Sequence, residues 1–194
     1  MDLKELEKVI DKYIDEIIEF RRDIHSHPEL SGNEKRTSEK VIEKLKKLPI
    51  DLISNVNGYG IIGNLKGNSN KKTILLRGDM DALPINEVND LPFISKNKNI
   101  MHACGHDMHT SILLGTAYVL SYFKDKLDGN VKFMFQPSEE ASPIGGSKGM
   151  IAEGVLENPK VDEAYALHVF EVPTGSIAIK PGVATSRSDR IDIE

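Results

Sequence analysis

Apolar residues recur every three or four positions in the first part of the chain, a spacing typical of amphipathic helices. The first such pattern begins at Leu3 and runs towards Arg22, and the segment His25-Ser-His-Pro28 ends it. The second covers about residues 33–48, with Pro49 beyond its end. We therefore predict two helices that each bury one face against a core.

Short apolar runs then alternate with further helical patterns. Runs typical of strands cover residues 60–65, 73–76, 130–135 and 161–167. Helical patterns cover residues 110–123 and 146–156. This alternation predicts an α/β domain with a mixed, partly parallel sheet flanked by helices. Ligand sites in such folds lie at the carboxyl ends of the strands, where several polar clusters of this sequence fall.

Composition narrows the class of protein. The chain has 194 residues, a net charge of −5 and one cysteine, Cys104. Its acidic balance disfavours a nucleic-acid partner, because phosphate backbones are bound by clustered Lys and Arg. No apolar run is long enough to span a bilayer, and the charged N-terminus predicts no export signal. Because a single cysteine suits a reducing compartment, we expect a cytoplasmic protein with no membrane partner.

Three histidines lie close to the only cysteine. His102, Cys104, His106 and His109 fall within eight residues, just ahead of a predicted helix. Imidazole and thiolate are donors that borderline-soft ions such as zinc accept. A lone histidine or cysteine more often packs or caps within a core, but four such donors together predict a metal site.

Carboxylates and one more histidine follow other predicted strands. Asp79 and Asp81 share one side of a strand end, because side chains alternate along a strand. Glu139 and Glu140 follow another strand and point in different directions, so one can ligate a cation while the other handles a proton. His168 ends a third apolar run. Taken singly, an acidic turn, a solvated glutamate pair or a core histidine is ordinary; together they predict a two-metal hydrolytic site.

The order of these motifs resembles a family of metal-dependent amidohydrolases. That family includes hippurate hydrolase, auxin-conjugate hydrolases, N-acetyldiaminopimelate deacetylase and related aminoacylases and carboxypeptidases. The resemblance runs along nearly the whole chain and implies a zinc-exopeptidase-like catalytic domain. The resemblance rests on five motifs: Arg22-Asp-Ile-His-Ser-His-Pro-Glu-Leu30, Arg77-Gly-Asp-Met-Asp-Ala-Leu-Pro84, Met101-His-Ala-Cys-Gly-His-Asp-Met-His109, Gln136-Pro-Ser-Glu-Glu140 and Ala166-Leu-His168.

The resemblance also implies the metal ligands. Position by position, the matching residues are Cys104, His106, Glu140 and His168. They would bind two divalent metal ions, zinc or manganese, with the thiolate of Cys104 available as a bridge.

Two further carboxylates match catalytic positions of the family. Glu139 matches the general base, and Asp81 matches the aspartate that orients a metal-bound group. The wider superfamily often has a histidine where this chain has Asp79. The roles of Asp79 and His109 therefore stay open at this stage.

A domain layout follows from the same resemblance. Residues 1–184 match the N-terminal part of the catalytic domain, and residues 185–194 match the start of a lid and dimerisation domain. Relatives continue with the lid and a last histidine ligand. We therefore expect a homodimer for the full-length protein and no activity from the 194-residue chain alone.

The resemblance implies hydrolysis of the amide bond of an N-acyl amino acid or a related small amide by a metal-activated water. Glu139 would take the proton of that water and pass it to the departing amine. Three alternatives stay open: a metal-binding or interaction fragment without activity, an N-acetyldiaminopimelate deacetylase, and a cysteine amidase. In the last, Cys104 would be the nucleophile and His106 or His109 the base.

Overall fold

The computed structural model describes residues 2–141 and 145–183. The helices are α1 Leu3–Ser26, α2 Lys35–Leu45, α3 His106–Tyr122 and α4 Gly146–Ala152, with a short 3-10 turn at Lys124–Lys126. The strands are β1 Asp51–Val56, β2 Gly60–Leu65, β3 Thr73–Asp79, β4 Asn130–Gln136 and β5 Glu163–Ala166. None of the described helices combines the length and the apolar character that a bilayer crossing requires. The predicted domain boundary at residues 184 and 185 lies outside the described residues.

The strands form one mixed sheet in the order β1-β2-β4-β3-β5. β2 pairs antiparallel with β1 and β4, whereas β3 pairs in parallel with β4 and β5. The predicted α/β fold with a partly parallel sheet flanked by helices is therefore confirmed. The sequence did not reveal β1, because this edge strand is mostly exposed and offers no continuous apolar run.

Side chains alternate across the sheet and build a core on each face. The larger core joins the sheet to α1, α2 and α3, and its members include Ile24, Ile61, Leu114, Phe133 and Phe135. The smaller core joins the opposite face to α4, and its members include Ile62, Leu75, Met134, Met150 and Val155. This packing holds β3 and β4 in register, with Asp79 opposite Gln136 at their carboxyl ends.

Helix α3 begins earlier than the predicted range 110–123. It starts at His106, directly after Gly105, whose φ of 84° is a conformation that a residue without a Cβ adopts at little cost. The apolar pattern missed this first turn because its residues are polar, although His106 and His109 are buried. The first turn of α3 therefore carries chemistry. Helices α2 and α4 and strand β5 are shorter than their predicted ranges.

Candidate metal centre

All the site residues predicted from the sequence lie at the carboxyl-terminal edge of the sheet. They come from the ends of β3, β4 and β5 and from the start of α3. Among the described residues, three groups of donor atoms each lie within 4.8 Å of one another: Cys104, His106 and His168; Asp79, His106 and His109; and His106, Glu139 and Glu140. His106 belongs to all three groups.

His106 is almost fully buried at the centre of this cluster. Its Nδ1 lies 3.1 Å from Oδ1 of Asp81. Its Nε2 lies 3.6 Å from Oδ2 of Asp79, 3.8 Å from Oε2 of Glu139 and 3.9 Å from Oε1 of Glu140. An ionised carboxylate can only accept a hydrogen bond, so Nδ1 of His106 donates to Asp81. In the neutral ring Nε2 then keeps its lone pair, which is the tautomer that a metal ligand needs.

Asp81 connects this histidine to the glutamate segment. While its Oδ1 faces His106, its Oδ2 accepts the hydroxyl of Ser31 at 2.6 Å and the N–H of Glu140 at 2.9 Å. Burial raises the pKa of Asp81, but these hydrogen bonds outweigh burial and the pKa is lowered. Asp81 therefore stays ionised and accepts hydrogen bonds from both sides of the site.

Asp79 and His109 are joined by a buried hydrogen bond. Nδ1 of His109 lies 2.7 Å from Oδ1 of Asp79, and Oδ2 of Asp79 forms an ion pair with Arg77 at 2.6 Å. Nε2 of His109 accepts the N–H of Val169 at 2.9 Å. Burial opposes ionisation of Asp79, yet the bond from His109 and the charge of Arg77 lower its pKa to about 2. Oδ2 of Asp79 has the ion pair with Arg77 but no hydrogen bond, whereas both ring nitrogens of His109 are hydrogen-bonded within the protein, so His109 has no free lone pair for an ion.

Cys104 and His168 lie on the other side of His106. Sγ of Cys104 is 3.5 Å from Nε2 of His168, whose Nδ1 donates to the carbonyl oxygen of Val169 at 2.6 Å. That bond fixes the tautomer of His168 and directs a free lone pair towards the thiol. Burial, followed by the charge of Glu140, raises the pKa of Cys104 to about 12. A thiolate at this position therefore requires a cation beside it.

Glu139 and Glu140 are more exposed than the aspartates, with 40% and 26% of their side chains accessible. Burial and then the charge of Glu140 raise the pKa of Glu139. A carboxyl group that reaches solvent and has a raised pKa is suited to receiving and returning a proton.

The donor set fits a divalent transition metal. The donor atoms of Cys104, His106 and His168 form one group, and His106 joins Glu139 and Glu140 in another, so thiol, imidazole and carboxylate donors meet around His106. Zinc accepts all three donor types, and manganese accepts imidazole and carboxylate. The fit rests on the chemistry of these side chains and on their mutual distances.

The structure also adds residues that the sequence analysis did not identify. Ser31 donates to Asp81, and fully buried Glu34 accepts the N–H of Ser138 at 2.7 Å. Neither contact could be read from the chain, because the partners lie far apart in sequence. His102 belongs to none of the donor groups found among the described residues. It is buried, and burial lowers its pKa to about 4.

Known proteins have sequences similar to this chain. The family model for peptidase family M20/M25/M40 matches residues 75–194. Thermostable carboxypeptidase 2 of Saccharolobus solfataricus is 42% identical over 194 residues, which cover 99% of this chain and 47% of that protein. Hippurate hydrolase of Campylobacter jejuni is 41% identical over 184 residues, which cover 92% of this chain and 46% of that protein.

A solved structure extends the comparison to the fold. The Bacillus subtilis YXEP protein, described as a dinuclear metal binding peptidase, matches with a TM-score of 0.83 at 38% identity. The match covers 89% of this chain and 48% of that one. The chain spans about half the length of the curated relatives it matches. The resemblance drawn from the motifs is confirmed, and the chain belongs to peptidase family M20/M25/M40.

Proposed function

We propose that the complete gene product hydrolyses the amide bond of an N-acyl amino acid or a related small amide. The observation that carries this proposal is the position of Nε2 of His106, 3.8 Å from Glu139 and 3.9 Å from Glu140. One histidine thereby adjoins both a metal-binding carboxylate and a carboxylate free for proton transfer. The names of the relatives, a carboxypeptidase and a hippurate hydrolase, support hydrolysis of this bond type.

Cys104, His106, Glu140 and His168 are the residues that would hold two divalent cations, zinc or manganese. The description of YXEP as a dinuclear metal binding peptidase supports the number. When bound, the ions would lower the pKa of a water towards neutral pH and polarise the carbonyl group of the amide. Asp81 would keep His106 oriented, since its carboxylate fixes the ring through Nδ1.

Glu139 is the proposed general base. It accepts one proton of the attacking water, while the remaining hydroxyl group bonds to the carbonyl carbon. As the carbon–nitrogen bond breaks, Glu139 returns the proton to the departing nitrogen. The products are a carboxylic acid and an amine, and Glu139 is ionised again.

The test is an assay of the complete gene product with N-acetyl and N-benzoyl amino acids, with zinc or manganese added. N-acetyldiaminopimelate, tested separately, distinguishes the deacetylase alternative. Glu139→Gln should retain metal and reduce turnover about a hundredfold or more. Glu140→Gln is the matched variant and should lose metal together with activity. Equal loss of turnover in both variants, with metal retained in both, would contradict the assignment.

A cysteine amidase remains the alternative enzyme class. Its nucleophile, Cys104, would need a lowered pKa, but burial and nearby carboxylates raise that pKa to about 12. Nε2 of His168 lies 3.5 Å from the thiol, whereas neither His106 nor His109, the bases expected for this class, shows a hydrogen bond to it. Removing metal with a chelator would leave a thiol enzyme active, whereas the proposed hydrolase should lose activity and regain it with zinc or manganese.

A further inference from the structure

Glu34 is a buried carboxylate whose hydrogen bonds do not serve its own helix. It lies at the N-cap position of α2 and is fully buried, yet its side chain makes no capping bond to α2. Its Oε1 instead accepts the N–H of Ser138 at 2.7 Å, the hydroxyl of Ser138 at 3.3 Å and the N–H of Gly32 at 3.0 Å. Burying an ionisable group costs free energy, and capping does not account for it here.

The free donors at the start of α2 are satisfied by a different residue, Glu29. Its Oε1 accepts the N–H of Arg36 at 2.9 Å. Its Oε2 accepts the N–H and the hydroxyl of Thr37 at 2.8 Å and 2.9 Å. These groups belong to the first turn, where backbone N–H groups lack partners within the helix. The carboxylate of Glu34 is therefore available to the segment after β4.

Ser138 has a backbone conformation that needs external support. Its φ of 55° lies in the left-handed region, which is strained for a non-glycine residue and persists only where neighbours hold it. Glu34 holds its N–H, and the N–H of Gly146 binds its carbonyl oxygen at 2.9 Å. Further along, Asp81 accepts the N–H of Glu140 at 2.9 Å. Buried carboxylates thus bind the backbone at both ends of the segment that carries the two glutamates.

We propose that Glu34 is a positioning residue that sets the backbone of Ser138 and thereby the placement of Glu139 and Glu140 beside His106. It acts through the backbone and touches no reacting atom. Without an acceptor at position 34, Ser138 can relax towards negative φ, which redirects the two side chains that follow it. The expected effect on turnover rests on the proposed hydrolysis, whereas the expected effect on zinc affinity rests only on the proposed metal ligands.

The experiment compares three substitutions in the complete gene product. Glu34→Ala removes the acceptor, Glu34→Met removes it while filling a similar volume, and Glu34→Gln retains an acceptor oxygen. Zinc affinity is measured by competition with a chromophoric chelator, and kcat and KM are measured separately. Glu34→Ala and Glu34→Met should weaken zinc binding about 10–100-fold and lower kcat by about tenfold or more, with KM changed less than about threefold. Glu34→Gln should restore most of both losses.

Glu29→Ala is the matched control. It also removes bonds to two backbone N–H groups and one hydroxyl, but at the start of α2 and without contact to Ser138. It should lower thermal stability and leave zinc affinity and kcat within about threefold of the unsubstituted protein. Equal losses in Glu29→Ala, or unchanged zinc affinity in Glu34→Met, would overturn the proposal. If the unsubstituted protein hydrolyses no amide, the proposed function fails, and the comparison of zinc affinities still decides the role of Glu34. Should Glu34→Ala not fold, the Met and Gln variants carry the same comparison.

Discussion

Asp81→Asn tests most directly how a buried carboxylate controls the candidate metal centre. In the structure Oδ1 faces Nδ1 of His106 at 3.1 Å, while Oδ2 accepts two donors, Ser31 at 2.6 Å and Glu140 at 2.9 Å. An asparagine has one acceptor oxygen, which can satisfy both donors only on the Oδ2 side. Its NH2 group must then face His106. Because Nδ1 would have to accept from that NH2 group, the neutral ring would carry its proton on Nε2, where a metal ligand needs a lone pair.

The size of the effect follows from the bond that is lost. A buried hydrogen bond to a charged group contributes about 1.5–3 kcal/mol, and each 1.4 kcal/mol is about a factor of ten in a dissociation constant. The ring can still ligate after changing tautomer, at about that cost. We therefore expect Asp81→Asn to weaken zinc binding about 10–100-fold, the range usual for groups that orient metal-binding histidines.

Zinc affinity should be measured by competition with a chromophoric chelator, in the complete gene product. Asp107→Asn is the control. Asp107 follows His106 in the sequence and is also buried, but its carboxylate contacts His25 at 2.9 Å and Arg21 at 2.7 Å rather than His106. The control substitution should lower the free energy of unfolding and leave zinc affinity within about threefold. The reasoning is refuted if Asp81→Asn keeps its zinc affinity, or if both substitutions weaken zinc binding equally.

Two further predictions concern the histidines around the site. His109→Asn keeps a donor near the Nδ1 position but loses the acceptor for the N–H of Val169, whereas His109→Gln can reach that N–H. If the bond between His109 and the N–H of Val169 positions the neighbouring His168, chelator competition should find weaker zinc binding in the Asn variant than in the Gln variant. The reverse order would contradict this role of His109. The second prediction concerns His25, whose pKa is raised above 6.5 by its hydrogen bond to Asp107. Protonated His25 therefore stabilises the folded state fully below pH 6.5, and this stabilisation is lost as pH rises through the raised pKa. Urea unfolding at about pH 6 and about pH 9 should show a larger loss of stability for the unsubstituted protein than for His25→Gln, and equal losses would exclude this contribution.

The sequence predicted the buried elements of the fold better than its edges. β2 and β4 are almost entirely buried, so their apolar runs were evident. β1 escaped notice because an edge strand with exposed side chains lacks such a run. The position of β4 between β2 and β3 was not predicted, because strand order depends on packing between segments far apart in the chain. The start of α3 was misplaced since its first turn contributes polar side chains to the site.

In the candidate site too, the sequence predicted local features but not contacts between distant segments. Short motifs identified the residues with free donor atoms, because thiol, imidazole and carboxylate groups at close spacing have few other uses. The supporting contacts were invisible, since Glu34 meets Ser138 and His109 meets Val169 only in the folded chain. The neighbours of Asp79 were equally invisible in the sequence: His109 is hydrogen-bonded to one oxygen of its carboxylate, and Arg77 forms an ion pair with the other.

The balance of charge bears on the proposal of two cations. Four carboxylates surround His106, from Asp79, Asp81, Glu139 and Glu140, and Arg77 supplies a guanidinium that pairs with one of them. If a bound metal ionises the Cys104 thiol, the cluster carries four negative charges in excess, which two divalent ions would balance. Uncompensated charge in a partly buried site costs several kcal/mol per group. The aspartates have protein partners that keep them ionised, whereas the pKa of Glu139 and that of Cys104 are raised. Cation binding should therefore release protons, and calorimetric titration of zinc in buffers of different ionisation enthalpy would measure that release.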